Sequence, residues 1–227
     1  MELELIAFGL ITGFTSGFFG IGGGSILIPM LLIIGFVMKE AVAISIMQMV
    51  FSSIYGSFLN SKKIKGLTRD GFSLGVGAVF GGLASGYFLP NIPNIYLQYI
   101  FIATLIYTIY TLFKAPASQE IQQDEKSIFL LSFIGFFVGI FAMSIGIGGS
   151  LMLLPILVRF LKYDLKIATA LGLFFVIFSS IGGFISTSLY GNMLYYEGAI
   201  IGIGSVIGVY FGIKVKEKTK ATSYKKF

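Results

Sequence analysis

The sequence contains no cysteine, no histidine and no tryptophan, and only 11% of its 227 residues are charged. Without cysteine there are no disulfides, thiol redox relays or thiolate metal sites. Without histidine the commonest metal ligand and proton shuttle is missing, so no metal and no cofactor is expected. The charged fraction is under half of the ~25% typical of soluble domains. Hydrophobic residues make up 56%, and mean hydropathy is +0.93. Several runs reach the ~20 apolar residues that span a bilayer. The chain is therefore expected to be an all-α polytopic membrane protein. Its net charge of +6 does not point to nucleic acid, because most lysines lie in loops and a tail beside hydrophobic spans, as the positive-inside bias requires. The acidic start, Met1-Glu2-Leu3-Glu4-Leu5, lacks the basic region and small-residue cleavage site of a secretory signal.

Glycine is abundant instead, and its placement organises the chain. Gly20-Ile21-Gly22-Gly23-Gly24-Ser25-Ile26-Leu27-Ile28-Pro29 sits inside a long apolar run, and Gly146-Ile147-Gly148-Gly149-Ser150-Leu151-Met152-Leu153-Leu154-Pro155 repeats its order 126 residues later. Each glycine costs a helix about 1 kcal/mol relative to alanine, so two such clusters read as two breaks within the membrane. The repeat extends further. Gly9 and Gly13 pair with Gly135 and Gly139 at 126; Gly71, Gly75, Gly77 and Gly81 pair with Gly198, Gly202, Gly204 and Gly208 at 127, as Ser52-Ser53 does with Ser179-Ser180.

The first apolar run covers residues 3–37 and is divided at Gly17–Gly24; spans at 41–59, 71–89 and 95–113 follow. The polar segment Lys114–Lys126 is a loop, the second run, 128–158, is split at Gly146–Ser150, and spans at 168–189 and 195–213 precede a tail with six lysines. The expected organisation is a first transmembrane repeat at 1–113, a cytoplasmic linker at 114–127, a second repeat at 128–213 and a basic cytoplasmic tail at 214–227. If each broken run crossed the membrane once, Lys and Arg would divide six against ten; if each returned as a hairpin, fifteen against one, with Lys39 alone outside. The positive-inside rule selects the hairpins. The N-terminus is then outside, and the two halves are inverted repeats with broken helices, a recurring transporter design. Span 95–113 has no twin before the chain ends at Phe227, so the last helix of the second repeat is expected to be missing, or supplied by a partner.

Isolated glycines such as Gly9, Gly13, Gly77 and Gly81 are explained by close helix packing. The consecutive Gly22-Gly23-Gly24 favours unwound backbone, which must be buried or line a cavity within a membrane. A helix starting there points free N–H groups and its positive dipole end at the break, an anion site without a charged side chain. Ser25 or Ser150 is placed to cap its half-helix or to offer a hydroxyl to a ligand. Neither copy has the Gly-Lys-Ser/Thr ending of a nucleotide-binding loop. Among intramembrane polar residues, Ser and Thr commonly bond their own helix backbone. Gln48 differs: a long amide between Met47 and Met49 requires a partner. It shares a helical face with Ser52 and Tyr55, and the corresponding second-half positions are mostly apolar, so the site is expected to be asymmetric. No Asp, Glu, Lys or Arg falls within a span as drawn, which argues against a carboxylate proton relay. Tyr96, Tyr99, Tyr107, Tyr110, Tyr190, Tyr195 and Tyr196 are explained by interfacial anchoring.

The doubled glycine break followed by a hydrophobic stretch and proline resembles the sulfite exporter (TauE/SafE-like) family of membrane permeases. The residues that carry the resemblance are Gly13, Gly17, Gly20, Gly22, Gly23, Gly24 and Pro29, then Gly139, Gly146, Gly148, Gly149 and Pro155, with Ala168-Thr169-Ala170-Leu171 after the second proline. The resemblance implies transport of sulfite, thiosulfate or sulfonates, often for export. It also implies about eight spans, one more than this chain supplies. The leading expectation is a multi-pass permease of the cytoplasmic membrane that moves small anions by alternating access, with the two breaks facing each other across a central cavity. Its candidate substrate-binding residues are Gly22, Gly23, Gly24, Ser25, Gln48, Ser52, Gly146, Gly148, Gly149 and Ser150. Its partners would be the lipid bilayer and a small anionic substrate, with a homo-oligomer or a partner helix as further options. The alternatives are a transporter of another small anion and a non-transporting membrane subunit. An enzyme is disfavoured, since no nucleophile–base pair or metal set is visible.

Overall fold

The computed structural model describes residues 2–20, 22–60, 68–113, 126–191 and 193–224. Regular structure among them is helical: α1 (Glu2–Phe19), α2 (Gly24–Ile33), α3 (Met38–Asn60), α4 (Thr68–Phe88), α5 (Asn94–Phe113), α6 (Ile128–Ser144), α7 (Ser150–Pro155), α8 (Leu165–Tyr190) and α9 (Tyr195–Tyr224). A π turn, Ile156–Phe160, continues α7, following Pro155, which has no N–H for the α-helical ladder. Among the described residues, five segments are long and apolar enough to cross a bilayer: Glu2–Phe19, Met38–Leu59, Arg69–Asn91, Ile167–Tyr190 and Tyr195–Lys218.

Both expected breaks are present. α1 stops at Phe19 and α6 at Ser144, and the next helices begin at Gly24 and Ser150. Between them the backbone enters the left-handed region at Gly20 and Gly22 (φ 75° and 74°) and at Gly146, Gly148 and Gly149 (69°, 85° and 71°). A residue with a Cβ pays roughly 1–2 kcal/mol for that conformation, and glycine does not.

The duplication read in the sequence is also a duplication of contacts. α1 lies along α9, and α6 lies along α4. A methyl group on Gly9 would strike the Ile201 carbonyl and one on Gly13 the Ser205 carbonyl; Gly135 and Gly139 stand in the same way against the carbonyls of Leu74 and Ala78. Gly198 and Gly202 receive Met47 and Phe51, as Gly71 and Gly75 receive Phe174 and Phe178. Every partner is displaced by the repeat offset. Small residues let backbones approach where lipid supplies no hydrophobic drive between helices.

The order of these contacts gives direction. Gly9, Gly13 and Gly17 meet Ile201, Ser205 and Val209, while Met47, Phe51 and Gly56 meet Gly198, Gly202 and Val209. α1, α3 and α9 therefore run the same way, and the chain between α1 and α3, α2 included, leads back to the end at which α1 began. α4, α6 and α8 likewise share a direction. α3 and α8 run oppositely, because Lys39 and Ala43 at the start of α3 line one hollow with Thr187 and Tyr190 at the end of α8. The end at which α9 finishes is the tail end, and the opposite one is the far end. At the far end Lys39 donates from its N–H to Asn94 Oδ1 (3.2 Å) and from Nζ to the Pro90 carbonyl (2.8 Å), tying α3 to α4 and α5. At the tail end Tyr163 OH donates to Asp70 Oδ2 (2.6 Å). Burial, then that hydrogen bond, raises the Tyr163 phenol well above its ordinary value and keeps it a neutral donor.

α9 continues unbroken past the span expected at 195–213, through the first part of the basic tail, to Tyr224; no Gly or Pro follows Gly212 to stop it. α5 has no counterpart among the described elements of the second half. Linker residues 114–125 lie outside the described residues.

Candidate functional site

The two glycine breaks meet in the interior. The first residue of α2, Gly24, lies directly under the Gly146 carbonyl, which also accepts a hydrogen bond from Ser45 Oγ at 2.8 Å. A methyl group on Gly22 would stand 3.6 Å from the Ile147 carbonyl and 3.9 Å from Gly148 Cα. Met49 Sδ, from α3, wedges between the copies, 2.5 Å from where a Gly148 Cβ would be. The expectation of a central cavity between the breaks is therefore corrected. Lacking side chains, the two copies pack backbone to backbone, and the open space lies to one side.

Gln48 is placed by α3 against Gly23, with its amide nitrogen and oxygen 2.7 Å and 2.8 Å from the position of a Gly23 Cβ. It is 0% exposed, and neither amide atom has a hydrogen-bond partner. Leaving a buried polar group unpaired costs about 1–3 kcal/mol. The Ser150 hydroxyl, on the first residue of α7, is likewise buried and unpaired. Neither half-helix is capped by a side chain, because the N-cap is Gly23 in one and Gly149 in the other; the capping role expected of Ser25 or Ser150 is not realised. Ser25 is half-buried on the first turn of α2. The first N–H groups of α2 have no intrahelical acceptor, although Ile26 and Leu27 already bond to the Gly23 carbonyl at 3.2 and 3.0 Å. In the second repeat the place of Gln48 is taken by Phe175, whose ring covers Gly149. The same position is polar in one half and apolar in the other.

Beside the breaks is a narrow cleft of about 40 Å³, reaching from Gly20 and Gly22 past Ser52, Ser53 and Gly56 to Lys216. A single water needs roughly 10–15 Å³ on this measure, so the space suits a few waters or a small oxyanion. Ser53 Oγ has no partner, and Ser52 Oγ makes only a 3.4 Å bond to the Met49 carbonyl. Of the residues singled out in the sequence, Gly22 and Ser52 line the cleft; Gly23, which follows Gly22 in the chain, and Gln48, packed against Gly23, are not among the lining residues. Gly24, Gly146 and Gly148 form the contact between the breaks. Tyr55 is not among the lining residues. Sequence reasoning missed Ser16, Gly17, Gly20, Ser53, Gly56 and Lys216 as a lining. Lys216 had a signal: Val209, Ile213 and Lys216, at spacings of four and three, form one helical face.

Comparison with known proteins agrees with this architecture. The family model described as "Sulfite exporter TauE/SafE" matches residues 5–227. A protein of Methanocaldococcus jannaschii named "probable membrane transporter protein" is 31% identical over 212 residues, covering 89% of this chain and 76% of the relative. A Bacillus subtilis protein of the same description is 23% identical over 248 residues, covering 95% and 90%. No solved structure matches the chain. With its apolar helices, its doubled glycine breaks and a family match over almost its full length, the chain belongs to the sulfite exporter TauE/SafE family of multi-pass membrane transporters.

Proposed function

We propose that the protein is a secondary transporter that moves small anions, sulfite or related sulfur oxyanions and organosulfonates, across the cytoplasmic membrane by alternating access. The observation that carries this reading is Gln48, fully buried with both amide ends unpaired beside the uncapped start of α2. A buried amide with no protein partner is a place for a ligand. The free N–H groups and positive end of α2 favour an anion there, with Ser52, Ser53 and Ser150 as hydroxyl donors. No fully charged cation is needed at the breaks, which lets the anion leave again.

The two halves act as inverted repeats that rock about the contact between Gly24 and Gly146. Support comes from the opposite directions of α3 and α8 and from the returning course of α2. Residues 1–113 and 128–213 form the two repeats, with the linker and the basic tail in the cytoplasm. Uptake of labelled sulfite into proteoliposomes tests the reading. Wild-type flux is expected to be saturable and to be competed by thiosulfate and by an alkyl sulfonate. Gly23→Leu combined with Gly148→Leu is expected to abolish it, since the first substitution displaces the Gln48 amide and the second strikes Met49 Sδ. Undiminished flux in the double variant would overturn the site.

A further inference from the structure

The two halves are matched in their glycine contacts but not in their open space. Under the repeat offset, Gly17, Ser53, Gly56 and Lys216 at the cleft correspond to Met143, Ser180, Gly183 and Leu89 in the other half. On the first side the cleft is open. A methyl group on Gly56 would meet nothing nearer than Val209 Cγ1 at 3.6 Å, and the Ser53 hydroxyl is unpaired. On the second side Met143 is fully buried, with Cγ and Sδ 3.2 and 3.0 Å from the position of a Gly183 Cβ. Ser180 is 0% exposed and donates to its own helix, at the Ile177 carbonyl (3.1 Å).

The seams behind these positions differ in the same sense. α4 packs along α8 far more extensively than α9 packs along α3. Gly82, Gly86 and Gly182 bring α4 onto α8; a methyl group on Gly82 would stand 2.5 Å from the Ser179 carbonyl. The Ser186 hydroxyl bonds across that seam to the Leu83 carbonyl. Their counterparts on the open side are Val209, Ile213 and Tyr55, side chains that hold α9 away from α3. Beyond the closed seam, at the far end, lies a hollow of about 320 Å³ bordered by Lys39 and Thr187, whose hydroxyl is buried and unpaired.

We propose that the cleft between α3 and α9 is the route by which a small anion passes between the glycine breaks and the tail end, with Lys216 at its mouth, and that Met143 plugs the equivalent route to the far end. This rests on the reading of the protein as an anion transporter. In the state described here a narrow cleft leads from the breaks toward the tail end, and the equivalent space toward the far end is filled. The exchange of states requires Met143 to leave Gly183 and α9 to close on α3. A methionine suits that task, because its unbranched, flexible side chain fills a gap without locking it.

The absence of native cysteine allows a test that needs no substrate. Single variants Ser53→Cys and Ser180→Cys are exposed to a membrane-impermeant maleimide from each face of the membrane, with Phe227→Cys marking the tail face. Cysteine at 53 is expected to label from the tail face, about tenfold or more faster than cysteine at 180, which reacts only through opening. Adding Met143→Ala is expected to expose position 180 from the opposite face, while the volume-conserving Met143→Leu keeps it protected. Gly56→Met is expected to protect position 53. The proposal is overturned if position 53 does not label from the tail face, or if position 180 labels equally fast with Met143 in place. If Met143→Ala does not accumulate, Met143→Val takes its place, and the comparison of 53 with 180 stands by itself. A normal labelling pattern without sulfite flux would count against the substrate alone.

Discussion

At the residue scale, Gln48 separates function from stability. Neither polar atom of its amide is paired, so a hydrocarbon side chain of similar size is expected to serve the fold equally well. Gln48→Leu is expected to leave the protein folded and to raise its resistance to denaturant by up to about 1–3 kcal/mol, the cost of the unmade hydrogen bonds. The same change is expected to abolish anion flux. Unfolding of the purified protein and uptake in proteoliposomes check the pair; undiminished flux in a stable Gln48→Leu protein would make the residue mere packing. Two glycines give an opposite contrast. Gly24→Ala drives a methyl group into the Gly146 carbonyl and to 2.6 Å from Ser45 Oγ, so folded protein is expected to be lost. Gly56→Ala has room within a helix and is expected to stabilise by up to about 1 kcal/mol, read by the same denaturation. Gln48 was legible in the sequence because a long amide in a hydrophobic span is costly wherever it points. Ser53 and Lys216 were not counted among the candidate site residues, because lining a cleft depends on which helices splay apart, and that is a property of pairs of helices.

At the scale of elements, hydrophobic runs and glycine clusters located nearly every helix. Span 41–59 became Met38–Asn60, and span 168–189 became Leu165–Tyr190. The length of α9 beyond the apolar span has a plain cause. A switch from apolar to basic composition marks the edge of a membrane, not the end of a helix, and Lys, Glu and Ala propagate helix well. The glycine pairing was visible as spacing, but spacing does not reveal how tightly each pair packs. Gly13 is pressed against Ser205, with Ser205 Cα 2.6 Å from the position of its Cβ, whereas its equivalent Gly139 has 3.1 Å to the Ala78 carbonyl. Gly13→Ala is therefore expected to destabilise by about 1–3 kcal/mol, as overpacking does, and Gly139→Ala by clearly less. Thermal unfolding of the two variants in detergent checks the order, and equal losses would mean that the α1–α9 and α4–α6 seams are interchangeable.

At the scale of the whole molecule, the directions of the helices sort the charges. Arg69, Lys126, Arg159, Lys162, Lys214, Lys216 and Lys218 belong to the tail end, with Asp70, Asp164 and Glu217 among them; the far end has Lys39 together with Glu2, Glu4, Glu40 and Glu197. The Tyr196 hydroxyl donates to the Glu2 carboxylate there, fastening the starts of α1 and α9 to each other. Lys39 Nζ is held by the Pro90 carbonyl. The bias counted along the sequence is thus a bias between two ends of one packed body. Positive charge beside a span is retained on the cytoplasmic side, so the tail end is expected to face the cytoplasm. A reporter that is active only outside the membrane should give signal when fused after Lys39 and none when fused after Phe227. A cytoplasmic reading at Lys39 would sink the orientation and reverse the faces assigned to the α3–α9 cleft and to Met143. The contacts themselves would stand, since they depend on the order of residues along the helices and not on which side of the bilayer they lie.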